Sequence, residues 1–570
     1  MRKKLALPAT LLVAFGLTMA ATAGPAAGDP QPGRAEKAQT TEIQILGLND
    51  FHGALEPPGG SGGRIGTTDA GGVEYLATHV DQLRATNPNT LFVSAGDLIG
   101  ATPLTSALFH DEPTIEAFNL MGLDYNGVGN HEFDEGVDEL LRMQNGGCHP
   151  VDGCQDGDGF AGAEFDFLAA NVAYKDSGET IFPPYKIHKF EGVKVAIIGM
   201  TLEGTPDIVT PAGISTVDFF DEADSVNALV PVLKRQGVET FVVLLHEGGS
   251  VSGGLNETTI NSCNNPVGAL PPIVDRMDDD IDVVVTGHTN WAVNCLIDGK
   301  IVTGAASAGR LVTDIDLTLS RATKDVVAHT VNNTIVTRTV PKAPALSELV
   351  GKYVGLSAPL ANRVIGSITA PITRSANAAG ESALGDVIAD AQLQATTAPE
   401  LGGAVIGFMN SGGIRADLTY PSSPAGEGDG NVTYGEAFTV QPFGNSLVTM
   451  TVTGAQIDTL LEQQFDNPTV GQNRILQVSE GFAYSWSASA PTGSKVDPAS
   501  ITLNGVTIDP AASYRITVNN FMADGGDGYS ILREGTDRLG GDVDLDALEK
   551  YFVAQGVVAP GPQNRITRLP

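Results

Sequence analysis

The stretch Gly129-Asn130-His131-Glu132-Phe133-Asp134 follows Leu123-Asp124-Tyr125-Asn126-Gly127-Val128, a short run that reads as a buried strand. A strand ending in Gly-Asn-His puts an amide oxygen and an imidazole on one loop. The amide oxygen suits a hard divalent cation, and the imidazole suits proton donation or contact with a developing anion. Asp134, three residues after His131, is placed to accept the other imidazole N–H and hold the ring in one tautomer. Alone, such a stretch is equally well a polar turn, so its weight comes from what stands at the ends of the other strands.

Residues 41–48 (TEIQILGL) alternate as a strand and run into Asn49-Asp50-Phe51-His52. If the backbone stays extended there, Asp50 and His52 face the same side. Residues 90–95 form a second strand, followed by Gly96-Asp97. Residues 165–172, 194–199, 239–245 and 282–286 read as further strands. The third of these ends on His246, and the fourth on Gly287-His288-Thr289-Asn290. Two more are expected near 300–303 and 314–319. The spacing predicts helices over 72–84 and near 114–121, so the first half is a layered α/β unit. The chain has nine histidines, and four follow apolar strands with carboxylate or amide company, which chance placement explains poorly.

The 570 residues suffice for two or more domains. Residues 1–23 read as a secretory signal: Arg2, Lys3 and Lys4, an apolar run, then Ala21-Thr22-Ala23 as cleavage site. A flexible leader is expected over 24–40. The expected location is therefore outside the cell or in its envelope, without stable membrane association and as a monomer. The net charge of −34 excludes nucleic acid polymers as a natural partner, and a small anion would need a locally positive site. The four cysteines allow three pairings. In an exported chain Cys148–Cys154 with Cys263–Cys295 is favoured, the first closing a Gly/Asp-rich loop and the second tying two loops of one domain.

Taken together, Asp50-Phe51-His52, Gly96-Asp97, Gly129-Asn130-His131-Glu132, His246 and Gly287-His288-Thr289-Asn290 resemble the calcineurin-like metallophosphoesterases, block by block and in order. The resemblance implies a four-layer αββα sandwich over 41–340 carrying two divalent ions (zinc, manganese, cobalt, magnesium or calcium). It makes Asp50, His52, Asp97, Asn130, His246, His288 and Asn290 the metal ligands, with Asp97 bridging. His131 and Asp134 become the catalytic pair. Asn290 departs from the pattern, since many relatives carry histidine there, and this leaves metal preference open.

Residues 341–362 carry one helical stripe and are expected to link two domains. The second, over 363–570, is expected to be a smaller α/β substrate-binding domain, with strands at 405–408 and 448–452 and a helix at 382–396. Three stretches stand out there: Asn410-Ser411-Gly412-Gly413-Ile414-Arg415, Gln441-Pro442-Phe443-Gly444-Asn445, and Asn520-Phe521 through Gly525-Gly526-Asp527-Gly528-Tyr529. They are similar to the C-terminal domain of secreted 5′-nucleotidases and UDP-sugar hydrolases. That resemblance implies a nucleobase between Phe443 and Phe521, ribose hydroxyls on Asp527 and Arg415 towards the phosphate side, with Asn410 as a further substrate-binding residue and Arg374, whose local spacing differs from the family's, as the candidate for an earlier arginine. The expected activity is hydrolysis of nucleoside 5′-monophosphates to nucleoside and phosphate. The alternatives are a UDP-sugar hydrolase, a 2′,3′-cyclic phosphodiesterase, or an inactive nucleotide-binding surface protein.

Overall fold

The computed structural model describes residues 39–209, 211–421, 426–468 and 470–570. The expected signal peptide, nearly all of the leader and part of the 421–430 loop lie outside these residues. Residues from Thr41 onward form one compact unit.

Two six-stranded sheets lie face to face. The first runs in the order Val326–Ile335, Leu311–Ser320, Thr40–Leu48, Thr90–Ser94, Tyr125–Gly127, Asp166–Leu168. Its last four strands pair in parallel. The second runs Ala292–Ile297, Lys300–Ala305, Val283–Thr286, Thr240–Leu245, Val193–Met200, Tyr185–Phe190, with a parallel centre and antiparallel edges. The apolar runs exist because each central strand is covered on both faces. Ile43, Ile45, Leu91 and Val93 of one sheet bury against Ile197, Val242, Leu244 and Val285 of the other. The outer face of the first sheet packs on the helices Val73–Arg84, Glu112–Met121 and Val137–Asn145. That of the second packs on Glu222–Lys234 and Leu270–Arg276. The layers are helix, sheet, sheet, helix.

The expected strand over 165–172 is two strands. Asp166–Leu168 pairs with Tyr125–Gly127, and Val172–Tyr174 pairs with Val217–Phe219. The break is at Asn171, whose buried amide donates to the carbonyls of Thr201 and Phe220 and accepts from Thr201 N–H. A side chain that supplies turn-like hydrogen bonds competes with the ladder and redirects the chain.

The helix Pro344–Ala361 buries Leu346, Val350 and Tyr353 against the first sheet's helices. Beyond it lie a five-stranded sheet centred on Ile406–Met409, Ser446–Thr453 and Ser513–Asn519, and the helix Ala383–Thr396, capped by Ser382. Both favoured disulfides, Cys148–Cys154 and Cys263–Cys295, are formed. No helix among the described residues is long and apolar enough to cross a membrane.

Candidate active site

The strands Thr40–Leu48, Thr90–Ser94, Tyr125–Gly127, Thr240–Leu245 and Val283–Thr286 all deliver their next residues to one edge of the sandwich. The carboxyl edge of a parallel sheet is where open α/β folds bind ligands. Six of the seven expected metal ligands meet there. His246 Nε2 lies 3.1 Å from Asp97 Oδ2 and 3.1 Å from Asn130 Oδ1. His288 Nδ1 lies 2.9 Å from Asn130 Oδ1. His52 Nε2 is 3.8 Å from Asp97 Oδ2 and 3.9 Å from Asp50 Oδ1.

Asn290 stands apart from this set. It is exposed, and its side-chain amide bonds back to the His288 carbonyl at 3.3 Å.

Asp50 and His52 do converge, but not by strand alternation. Both are left-handed, with φ of 50° and 49°, as are Asp97, His288 and Asn290. Five polar residues held in a region that L-residues rarely adopt mark a site whose surroundings impose its shape.

The donor chemistry fits divalent metal ions. Asp50 Oδ1 is buried and meets no hydrogen-bond donor. His246 Nδ1 faces the Ala95 carbonyl at 2.7 Å and His52 Nδ1 faces the Gly100 carbonyl at 2.9 Å. Donation to those carbonyls turns each Nε2 into the cluster, the arrangement by which proteins orient metal-binding imidazoles. Burial works against a proton on His246, but Asp97 outweighs it and raises the ring to about 10, so an ion there would displace a proton. Burial lowers both His52 and His288 to about 3, so both rings are neutral, as ligation requires. Burial opposes charge on Asp97 as well, yet His246, His131 and His52 around it hold it well below the usual carboxylate range. Burial raises Asp50 to about 7, with Asp97 adding to the effect. Two acids so close, one starved of a donor, ask for a cation between them.

His131 stands beside this cluster. Its Nδ1 is 2.8 Å from Asp134 Oδ2, its backbone N–H donates to Asp97 Oδ1 at 2.9 Å, and its ring meets that of His52 edge-on at 5.1 Å. Burial works against a proton on the ring, but Asp134 and Asp97 outweigh it and raise its pKa.

Glu132, the last residue of the Gly-Asn-His-Glu block, has a role that the block itself does not reveal. Its buried carboxylate accepts from Asp97 N–H (2.9 Å), Gly129 N–H (2.7 Å), Leu98 N–H (2.9 Å) and the Asn126 amide (3.2 Å). One side chain thus ties the Gly-Asp loop to the Gly-Asn-His loop.

The later stretches reach the same edge. Arg415 lies close enough to Asp134, Asp97 and Asp50 to feel each of them, and burial together with Arg374 lowers its pKa. Its guanidinium carbon is 5.7 Å from the Phe443 ring centroid. Arg374 Nη1 donates to the Ile414 carbonyl at 3.3 Å. Phe521 is half-buried over Gly526, where an added Cβ would fall 2.4 Å from a ring carbon, so that glycine makes the ring's bed. Phe443 and Phe521 make no direct ring contact with each other among the described residues.

Asp527 accepts from Asn410 Nδ2 at 2.7 Å and pairs with Arg474 at 3.0 Å. Asn410 is buried, and its other end accepts from Asn519 at 3.0 Å. Its amide therefore orients Asp527 rather than reaching outward. Arg474 is absent from the sequence-based set, because nothing in the sequence ties it to a residue 53 positions on.

Residues 43–291 match the calcineurin-like phosphoesterase family model, and residues 364–534 match the 5′-nucleotidase C-terminal domain. Cell wall protein Lmo0130 of Listeria monocytogenes is 32% identical over 577 residues, spanning 96% of this chain and 70% of its own length. The chain belongs to the 5′-nucleotidase family. Endonuclease YhcR of Bacillus subtilis is 32% identical over 517 residues; the alignment covers 89% of this chain but 39% of that protein. The solved 5′-nucleotidase precursor of Thermus thermophilus superposes with a TM-score of 0.76 at 27% identity, covering 93% of this chain and 99% of that one. With both domains of the 5′-nucleotidase family and a candidate metal-ligand cluster, the chain is a phosphoester hydrolase of the class that takes nucleotides and divalent metal ions.

Proposed function

We propose that this chain is an exported, two-metal 5′-nucleotidase that hydrolyses nucleoside 5′-monophosphates. The observation that carries the reading is the meeting of two halves at one edge. Asp97 sits among His52, His131 and His246, while Arg415 and Phe443 arrive from the far half of the chain. Asp50, His52, Asp97, Asn130, His246 and His288 hold the ions in this account, with Asn290 turning in from the loop rim to complete the set. The boundaries proposed are 41–340, 341–362 and 363–570.

When bound, the divalent ions polarise the phosphoryl oxygens and supply an attacking water at neutral pH. The chain's own groups do the rest. Arg415, with Arg374 near it, neutralises the phosphate as it approaches three carboxylates. Asp134 holds the proton on His131 Nδ1, so that Nε2 faces the transferring group or the leaving oxygen. Phe443 and Phe521 offer flat apolar faces to a base, which any purine or pyrimidine satisfies. Asp527, held by Asn410 and Arg474, accepts from vicinal ribose hydroxyls.

Export rests on the charged, apolar and small-residue order of residues 1–23, and on a relative that is named as a cell wall protein. One relative is named an endonuclease, but the net charge of −34 opposes a polyanionic substrate. The test is a substrate panel of AMP, UMP, ADP, UDP-glucose and 2′,3′-cyclic AMP. It is run on chelated enzyme restored with zinc, manganese, cobalt, magnesium or calcium. AMP and UMP should give the highest kcat/KM. A tenfold preference for UDP-glucose or the cyclic nucleotide would replace the reading with one of those two activities.

A further inference from the structure

A second set of metal-competent side chains lies outside the Asp97 cluster. His110 stands between the helices Leu104–Ala107 and Glu112–Met121 with left-handed backbone, φ 50°. His149 and Asp152 lie inside the ring closed by Cys148–Cys154. Glu135 directly follows Asp134. His110 Nδ1 is 3.0 Å from Glu135 Oε2, and its Nε2 is 2.9 Å from Asp152 Oδ2. His149 Nδ1 is 3.4 Å from the same Asp152 oxygen, and the two imidazoles stack at 3.7 Å with planes 14° apart. One donor atom each from His110, Glu135 and His149 falls within 4.8 Å of the other two. Nothing in the phosphoester chemistry uses these residues.

We propose that His110, Glu135 and His149 form a peripheral divalent-cation site selecting zinc-like ions, with Asp152 accepting from the far nitrogen of His110 and orienting its ring. Two imidazoles and one carboxylate, with water in the fourth position, are a set that zinc, cobalt and nickel prefer over calcium or magnesium. The loop that carries His149 is held in advance. The disulfide closes a seven-residue ring, Gly153 N–H bonds the His149 carbonyl at 2.9 Å, and Asp152 N–H bonds His149 Nδ1 at 3.2 Å. The two rings are largely shielded while both carboxylates are exposed, so an ion enters from solvent without unfolding anything. Two metal–nitrogen bonds at the tetrahedral angle set the nitrogens about 3.4 Å apart, close to the ring spacing. Binding turns one ring out of the stack so that both lone pairs converge. The competing occupant is a proton, with His110 charged between the two carboxylates. Because Asp134 holds His131, an ion on Glu135 also fastens the disulfide loop to the loop of the catalytic pair.

The test uses full-length enzyme with disulfides intact, stripped by chelation and titrated with cobalt(II). Ions per chain are counted by elemental analysis, and cobalt absorption is followed in the visible. Wild type should bind one cobalt more than His149→Ala, with a tetrahedral absorption component that the variant lacks and zinc displaces. Glu135→Gln, which keeps size and polarity, should weaken that ion at least about tenfold. Asp97→Asn should keep it, which separates this site from the phosphoester centre. AMP hydrolysis by His149→Ala within about twofold of wild type shows that the variant is folded. Equal cobalt counts and spectra in wild type, His149→Ala and Glu135→Gln would overturn the proposal and leave an ion-paired imidazolium at His110.

Discussion

The ring of Phe443 lies nearly parallel to that of His131, with centroids 5.7 Å apart and planes 13° from one another. An aromatic from the 5′-nucleotidase C-terminal region thus touches the histidine of the phosphoesterase region. In the proposed reading, a nucleotide whose phosphate reaches His131 lies beside Phe443. Replacing Phe443 by Ala should raise KM for AMP by the loss of a stacking contact, about 1–3 kcal/mol. Hydrolysis of p-nitrophenyl phosphate, which has no base, should fall much less. Equal losses on both would mean that Phe443 positions His131 instead of binding the base.

His131→Asn should lower kcat by roughly 10²–10³ while the metal content stays near that of wild type, since the ring meets the ligands without being one of them. Asp134→Asn should lower kcat less, by freeing the tautomer. Elemental analysis on the same preparations decides it. A stripped His131→Asn would make His131 a ligand.

The Glu132 carboxylate satisfies three backbone N–H groups and one amide out of contact with water. In Glu132→Gln an NH₂ group faces those donors, and each unsatisfied one costs about 1–3 kcal/mol. The variant should melt several degrees lower and bind metal at least about tenfold more weakly. Unchanged Tm and metal affinity would show that the two loops hold themselves.

Much of the candidate site was legible because buried parallel strands leave continuous apolar runs, and each expected ligand stands within a few residues of the end of one. The left-handed turns at Asp50, His52, Asp97, His288 and Asn290 were not, since aspartate, asparagine and histidine only modestly favour such a conformation. The clamp made by Glu132 was not visible either, because its partners are backbone groups of a loop 34 residues earlier. Asn171 breaks a strand that the apolar pattern continues, through bonds to a carbonyl 49 residues away. Arg474 and Asp527 meet only through the tertiary fold.

Asp386, in the first turn of Ala383–Thr396, is buried with neither carboxylate oxygen meeting a donor, and Arg565 Nε stays 3.9 Å away. Burial pushes it to about 8, with Glu381 adding and Arg565 opposing. The unfolded value is about 3.9. A carboxyl whose folded pKa is raised makes the folded state bind more protons, so stability falls as pH climbs from about 4 to 8. Asp386→Asn removes that dependence. Its Tm should equal wild type near pH 4 and exceed it by pH 8. A variant less stable than wild type at pH 8 would show that Asp386 is ionised and held by Arg565.

The central claim is that Asp97, among three imidazoles, holds the ions on which hydrolysis depends. The direct measurement is ions per chain and AMP turnover, made together on wild type and Asp97→Asn after chelation and metal restoration. The account predicts that wild type loses activity on chelation and recovers it with metal. Asp97→Asn should lack the phosphoester-site ions and stay down by orders of magnitude. Full turnover by exhaustively chelated wild type, or by Asp97→Asn, would contradict it.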